Sequence, residues 1–483
     1  MASLFSALSI SANSLQVLQN SLAVSENNIA NVSTPGYVEQ TQTVEAMPLD
    51  ISQGSVGGVA TGPIVSARNV YAEQAVQSAQ TSLGTWTQQV NTLQPLQSSF
   101  DITGTTGIPG ALNQLFQSFS AWSGDPTNGT AQQGVLNAAQ SVSQAFQQES
   151  TTVSQAATSA QSQLNGLVSQ VNTLTAQLAR DNGAQIGGSG KDPSVDANTF
   201  STLEQLSQLV PITTLTAPDG SMTVLLAGQT PLVMGQTQYA LSSGVAVPTN
   251  PPPAIPTGPP SPQVLDSNGN DITSEITQGQ VGGILQASAV LAQLQGDSSQ
   301  QGSLNQLAQG VADVVNNLLT SGNISDANPA TGAPAVSGIP LFSYTPGSPT
   351  SVASTLSVNP AITSSQLAAI EPGPPEIDNG IALQLANLSS PQNPADEINN
   401  MSFTQFYGNI AGDVGSAIST ATNNQATDQQ LVTQAQNLRQ QSSGVDLNTE
   451  AIKILQFQQS YGAAAKMVSI LDSLTETVVN MIS

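Results

Sequence analysis

The stretch SENNIANVSTPGYVEQ, residues 25–40, decides the fold, because a helical pattern runs into it and stops. Upstream, Leu4, Leu8, Ser11, Leu15, Leu18, Leu22, Ser25 and Ile29 alternate at intervals of four and three, the spacing of a heptad seam. Gln, Asn and Ser fill the positions between. Thr34-Pro35 ends the helix, since the proline ring disfavours helical geometry at the residue before it. Gly36 permits a turn, and from Tyr37 to Ala46 the pattern is extended, with Thr41, Thr43 and Val44 favouring strand. One narrow seam recovers too little to hold so long a helix in isolation, so the segment requires a partner.

The partner pattern stands at the other end of the chain. Ile454, Phe457, Tyr461, Ala464, Val468, Leu471, Thr475, Val478 and Ile482 repeat the three-four spacing, and Leu455, Met467, Ile470 and Leu474 widen the stripe. At about 1.5 Å per residue the two terminal helices are roughly 40 and 50 Å long. The pattern alone admits two readings: two amphipathic helices laid on a globular core, or one coiled coil made from both termini.

Composition bounds the function. The chain has 483 residues, enough for about two to four domains. Charged residues are only 7%, against roughly 25% in an average soluble protein, so Gln, Asn, Ser and Thr must cover the surface. With six basic residues and a net charge of −24, the chain is unsuited to nucleic acid and to anionic lipid. Cys and His are absent, which excludes thiolate and imidazole metal sites and the His-dependent nucleophile systems. No apolar run is long enough for a membrane span. The first basic residue is Arg68, so no cleaved secretory signal is readable, and an exported protein of this kind would leave by another route.

The two ends also carry a resemblance. SENNIANVSTPGY is similar to the N-terminal motif of the bacterial flagellar axial proteins of rod, hook and hook-associated type, with Asn27, Asn28, Asn31, Thr34, Pro35, Gly36 and Tyr37 as its turn residues. SSGVDLNTEAIKILQFQQSYGAAAKMVSILDSLTETVVNMI, residues 442–482, resembles their C-terminal signature, and Gln458 to Tyr461 and Ala464 to Lys466 are closest to the hook-associated branch. Val38-Glu39 departs from that branch, where a small polar residue followed by Arg is more usual. The resemblance implies a structural adaptor between hook and filament, exported unfolded by the flagellar type III route and located outside the cell. It implies four partners: the flagellar hook protein, hook-associated protein 3, further copies of itself in a ring, and an export chaperone on the C-terminal helix. The seam residues Leu4, Leu8, Leu15, Leu18, Leu22 and Ile29, with Ile454, Phe457, Tyr461, Ala464, Val468, Leu471, Val478 and Ile482, become the expected assembly interface. Asn13, Gln16 and Asn20 are expected to face a bore or neighbouring polar seams. A rod or hook protein is the alternative within the family, and a secreted adhesin or carbohydrate-active enzyme the alternative outside it.

The interior reads as mainly α with a β insertion (α+β). Helices are expected at 70–95, at 130–180 as one or two, and at 198–209, with Arg180 and Gly183 suiting a helix end. VPITTLTAPDGSMTVLLAGQTPLVMG is a hairpin signal, and two further helices follow it. Residues 401–442 read as a helix interrupted near Gly408, Gly412 and Gly415. PTNPPPAIPTGPPSP, residues 248–262, favours polyproline II in a stiff outer loop, and EPGPPE, residues 371–376, reads as a boundary. The expected domains are discontinuous: 1–69 with 440–483 as a terminal coiled-coil inner domain, 70–200 with 377–439 as a long-helix bundle, and 201–376 as an outer β-rich domain.

Candidate chemistry is weak, and no catalytic residue, cofactor or metal is expected. GGSGKD lacks the leading Gly and the Ser or Thr of a phosphate loop. DSNGNDITSEIT has calcium-loop spacing at Asp266, Asn268 and Asn270, but Asp271 stands where Gly belongs and Thr277 where the bidentate acid belongs.

Overall fold

A computed structural model describes residues 2–50, 55–100, 105–187, 192–245, 262–296, 301–326, 334–345 and 350–482. The helices in chain order are α1 (Ala2–Ala30), α2 (Val70–Leu93), α3 (Gly107–Gly124), α4 (Gly129–Gly187), α5 (Pro193–Leu209), α6 (Gly279–Gln295), α7 (Ser303–Ser321), α8 (Val352–Thr355), α9 (Gly380–Asn387), α10 (Phe403–Ser443) and α11 (Leu447–Ile482). Between α1 and α2 lies a long antiparallel hairpin of β1 (Gln40–Asp50) and β2 (Ser55–Ser66), running in register from Gln40 opposite Ser66 to Asp50 opposite Ser55, with a bulge between Gln42 and Val44. A four-stranded antiparallel sheet follows α5, built in order from β3 (Ile212–Thr216), β4 (Met222–Leu226), β5 (Thr230–Met234) and β6 (Thr237–Gln238). The strands β7 (Ser242–Val245) and β8 (Pro262–Leu265) form a separate pair. The fold is thus mainly helical with small antiparallel sheets, as the interior pattern predicts.

The chain forms two compact units. The first gathers Met1–Leu83, Gln170–Ala240 and Thr427–Ser483, and so holds both termini, the hairpin and the four-stranded sheet. The sheet is keyed to the end of α4 by Asn182. Its side-chain amide donates to the carbonyls of Met222 and Gly235, and its oxygen accepts from the Met222 amide, all at 2.7 Å.

The second unit is Gly84–Ser169 with Leu241–Ala426. Its core is aromatic and aliphatic, built on Phe116, Phe119, Trp122, Phe146, Phe403 and Tyr407, each almost fully buried. Phe100 stacks on Tyr407 and Phe116 on Phe403, with ring centroids 6.2 and 6.5 Å apart.

Two sequence expectations are corrected by packing. Arg180 and Gly183 do not end a helix, because α4 runs unbroken to Gly187; Leu178, Ala179 and Asn182 are buried there. Nor do Gly408, Gly412 and Gly415 interrupt α10, a single helix of 41 residues. A glycine inside a helix costs about 1 kcal/mol relative to alanine. The face carrying Phe403, Phe406, Tyr407, Ile410, Val414 and Ile418 is buried in the core and outweighs that cost.

The proline-rich stretch lies outside the described residues apart from Pro262, which opens β8. Of GGSGKD, residues 188–191 lie outside them; Asp192 caps α5 by accepting the Ser194 amide. The calcium-like stretch is a self-contained turn. One Asp266 carboxylate oxygen accepts the backbone amides of Asn268 and Asn270, and the other accepts the Asn270 side chain.

Candidate assembly interface

The turn motif is where α1 is stopped and redirected. Asn31 donates to the carbonyl and side-chain oxygen of Asn27, and Thr34 donates to Asn31 Oδ1 at 3.1 Å. The Tyr37 amide returns to the Thr34 carbonyl. These bonds occupy carbonyls that a helix C-terminus leaves without partners. Gly36 has φ +75°, and a Cβ there would collide with the carbonyl oxygen of Ala197, so both conformation and close approach require glycine.

Asn28 behaves like a strand partner supplied by a helix. Its side chain donates to the Gln40 carbonyl at 2.9 Å and accepts the Gln40 amide at 3.0 Å, fixing the start of β1 to α1. The Tyr37 hydroxyl donates to the same oxygen at 2.9 Å. Burial and the nearby Glu450 carboxylate push the Tyr37 hydroxyl up to about 12. The Val38-Glu39 departure has a local reason: Val38 is buried, and Glu39 receives Lys453 at 2.6 Å. Lys453 also reaches Glu450 at 2.7 Å. Burial lowers the lysine's affinity for its proton, but the bonds to the two carboxylates outweigh this and hold it above the ordinary lysine range.

The turn delivers the chain to α11, which packs along α1. Gln19 donates to the Tyr461 hydroxyl at 3.1 Å, while Lys453 lies level with Glu39, so the two helices run antiparallel. The apolar seam residues with a described side chain are half-buried: Leu8, Leu15, Leu18, Leu22 and Ile29 on α1, and Ile454, Phe457, Tyr461, Ala464, Val468, Leu471 and Val478 on α11, whereas Ser25, expected in the same seam, is buried. Leu4 and Ile482 lie on these helices, but their side chains fall outside the described residues. The buried side of α1, with Val17, Ser21, Ser25 and Asn28, is a different face. Asn13 donates to the Met47 sulfur at 3.8 Å and Asn20 to Thr61 Oγ1 at 3.3 Å, so these two side chains point to the hairpin rather than a bore, while Gln16 stays exposed.

From Ala451 onward, no described residue of α11 is buried. A helix of 36 residues therefore rests on one half-covered seam, with Leu455, Met467, Ile470 and Leu474 each 47–59% exposed on its other side. The tertiary contacts that normally stabilise such a helix are incomplete in a single chain.

Beneath the turn sits a charged collar that the sequence reading missed. Arg68 donates to the Gly36 carbonyl at 2.8 Å, to Glu73 at 2.5 Å and to Asp196 at 2.7 Å, and its guanidinium lies 3.7 Å from the centre of the Phe200 ring. Arg439 reaches the other oxygen of Glu73 at 3.3 Å and Glu204 at 2.6 Å. The collar joins the turn to α2, α5 and α10. A signal was available: in a chain with only six cations, each one is a candidate for a specific pairing, and Arg68, Arg439 and Lys453 all pin the terminal segments.

Fold and site together define a class: a helical structural protein whose first and last helices form one antiparallel pair, anchored through a turn and an ion-paired collar. The family model for the flagellar hook-associated protein FlgK helical domain matches residues 93–334, and the flagellar basal body rod FlgEFG protein C-terminal model matches residues 436–481. The chain belongs to the FlgK family of flagellar hook-associated proteins.

Among relatives, flagellar hook-associated protein 1 of Bacillus subtilis (strain 168) is 31% identical over 103 residues, 21% of this chain and 20% of that one. Flagellar hook-associated protein 1 of Escherichia coli (strain K12) is 31% identical over 80 residues, 17% of this chain and 15% of that one. The aligned stretches thus span a fifth or less of those relatives. The structure of the flagellar hook junction protein FlgK from Burkholderia pseudomallei superimposes with a TM-score of 0.60 at 16% identity, over 76% of this chain and 99% of that one, a likeness of fold.

Proposed function

We propose that this chain is a structural adaptor at the junction between flagellar hook and filament, working by assembly and without catalysis. The observation that carries the reading is the unburied length of α11: a helix in a family of axial proteins that its own chain covers on one side only. A surface of this kind gains its remaining contacts from neighbouring subunits, and coupled folding and binding suits segments that cannot stabilise themselves. The seam residues of α1 and α11, from Leu4 to Ile29 and from Ile454 to Ile482, form the core of the assembly interface. The turn from Asn27 to Tyr37 sets the angle at which they leave the body.

On this reading the terminal inner domain comprises 1–69 and 440–483, within the unit that also holds the four-stranded sheet. The hook protein lies below, hook-associated protein 3 above, and further copies of this chain alongside. Before export by the flagellar type III route, a chaperone covers α11, since an exposed apolar stripe invites aggregation. The mature location is the flagellum, outside the cell.

The test is complementation of a deletion strain. Full-length chain is expected to restore filament attachment, and chains lacking residues 1–30 or 450–483 are expected to fail while still being produced. A truncated chain that joins filaments to hooks as well as the intact one overturns the proposal.

A further inference from the structure

All six Lys and Arg of the chain fall in the segments of the first unit, while half of the thirty Asp and Glu fall in those of the second. Histidine is absent throughout. The second unit is thus an acidic body without a basic side chain of its own, and a carboxylate on its surface can find no positive partner inside it.

One such carboxylate, Asp413, stands in a groove of that unit bordered by α6 and α10. Two cavities of about 380 and 390 Å³ share Val290, Asp413 and Ala417, and so form one continuous channel. Leu294, Phe406, Ile410 and Val414 make its floor, each at most 7% exposed, and Val290 and Ala417 are half-buried beside them. Along α10 the groove runs from Phe406 to Thr420, roughly 21 Å or four helical turns. Toward one end Asn409 donates to the Met401 sulfur at 3.0 Å, and toward the other Gln89 donates to Gln286. Asp413 is exposed near the middle and takes part in no ion pair among the described residues.

We propose that this groove is a docking site for an amphipathic helix of a different protein, its apolar face covering Val290, Leu294, Ile410 and Val414 and a Lys or Arg within that face meeting Asp413. A long apolar floor between two helices receives the i, i+3, i+4 and i+7 side chains of a third. The charge of the unit fixes the sign of the occupant, because the cation opposite Asp413 must come from outside. A second copy of this chain is a poor source of it. Arg68, Arg439 and Lys453 are held in ion pairs, Arg180 stands next to Asp181, and Lys466 shares α11 with Asp472 and Glu476. Two bodies of net charge −24 also repel each other. A basic partner is instead drawn to the acidic unit from a distance and oriented at contact by Asp413. The groove contains no residue of α1 or α11, so this inference is independent of the role proposed above for the terminal helices.

Fluorescence polarisation on the full chain tests the site. The probe is a dye-labelled synthetic helix of about five turns, with Leu at the i, i+3, i+4 and i+7 positions, Gln elsewhere and one Lys at the centre of the Leu face. A twin probe carries Glu in place of that Lys. The Lys probe is expected to bind saturably and at least about tenfold more tightly than its twin. Asp413→Lys should abolish or invert that preference. Asp378→Lys, the same charge change on an exposed residue of the unit outside the groove, should preserve it. Ala417→Trp fills the groove and should weaken both probes about tenfold, with circular dichroism checking that the chain is folded. Absence of saturable binding overturns the proposal, and so does a preference that Asp413→Lys leaves intact or that Asp378→Lys removes equally. Binding that survives Ala417→Trp in a folded chain, or a photoreactive Lys probe that labels only α11, also overturns it. Self-association of the chain alone that Asp413→Lys abolishes, read by analytical ultracentrifugation, would give the groove to a second copy and overturn the assignment to a different protein.

Discussion

Replacing Arg68 with Ala tests whether the collar holds the terminal turn to the body. Its side chain is only 6% exposed and serves Glu73, Asp196 and the Gly36 carbonyl at once, over the face of Phe200. Removing one partner of a buried ion pair typically costs about 3–5 kcal/mol. A carbonyl left without a donor costs about 1–3 kcal/mol, and a lost cation–π contact roughly 0.5–2 kcal/mol. These do not add, because the groups share one network. Glu73 also retains Arg439 at 3.3 Å, which softens the loss. The expected net cost is about 4 kcal/mol, close to a thousandfold in a local opening equilibrium.

Hydrogen exchange by mass spectrometry on the full chain suits this test, since two units make a single melting temperature ambiguous. Arg68→Ala should speed exchange in the first turns of α2 and in α5 while leaving α3 and α7 unchanged. Arg68→Lys, which keeps the charge but not the planar fork, should fall between. A change below about 1 kcal/mol in α2 and α5, or an equal change in α7, would refute the reasoning, because a buried hub of this kind cannot be both local and negligible.

Other outcomes follow from single residues. Glu149 is buried on α4, and desolvation pushes its carboxyl up to about 7. The folded form holds the proton more tightly, so this contribution is full below about pH 4.5 and is lost as pH rises through 7, about 3 kcal/mol in all. Glu149→Gln should flatten that slope in urea unfolding of the second unit and stabilise it at pH 8. Tyr37 and Lys453 are both held in their protonated forms, so contacts at the turn should persist to about pH 10 and weaken through pH 12, read by limited proteolysis after α1. Asn28→Ala leaves both backbone groups of Gln40 without their partner and should cost about 2–4 kcal/mol, seen as faster exchange at the start of β1. Gly36→Ala combines a strained positive φ with a steric clash and should release the turn from α5, whereas Gly412→Ala, where nothing lies within 4 Å, should stabilise α10 by about 1 kcal/mol in the isolated subunit.

The sequence by itself determined the secondary structure of the ends and that each needs a partner, while the packing of α1 along α11 was decided by the tertiary structure. Heptad spacing is local information: it places Leu8 and Leu22, or Phe457 and Val468, on one side of a helix whatever else the chain does. Pro35 and Gly36 act on the backbone of their own neighbourhood, so the stop after α1 was legible too. Tertiary structure decided where propensity yielded to burial. Gly183 and the three glycines of α10 read as breaks, yet a buried face on each helix carries the backbone through them. The collar was beyond sequence reading because Arg68, Asp196 and Arg439 meet across hundreds of residues, and no local pattern records a distance in space. The division of α11 into a covered and a bare stripe was likewise settled only by packing. Both stripes share one periodicity, and only the position of α1 makes one of them an interior and leaves the other a surface.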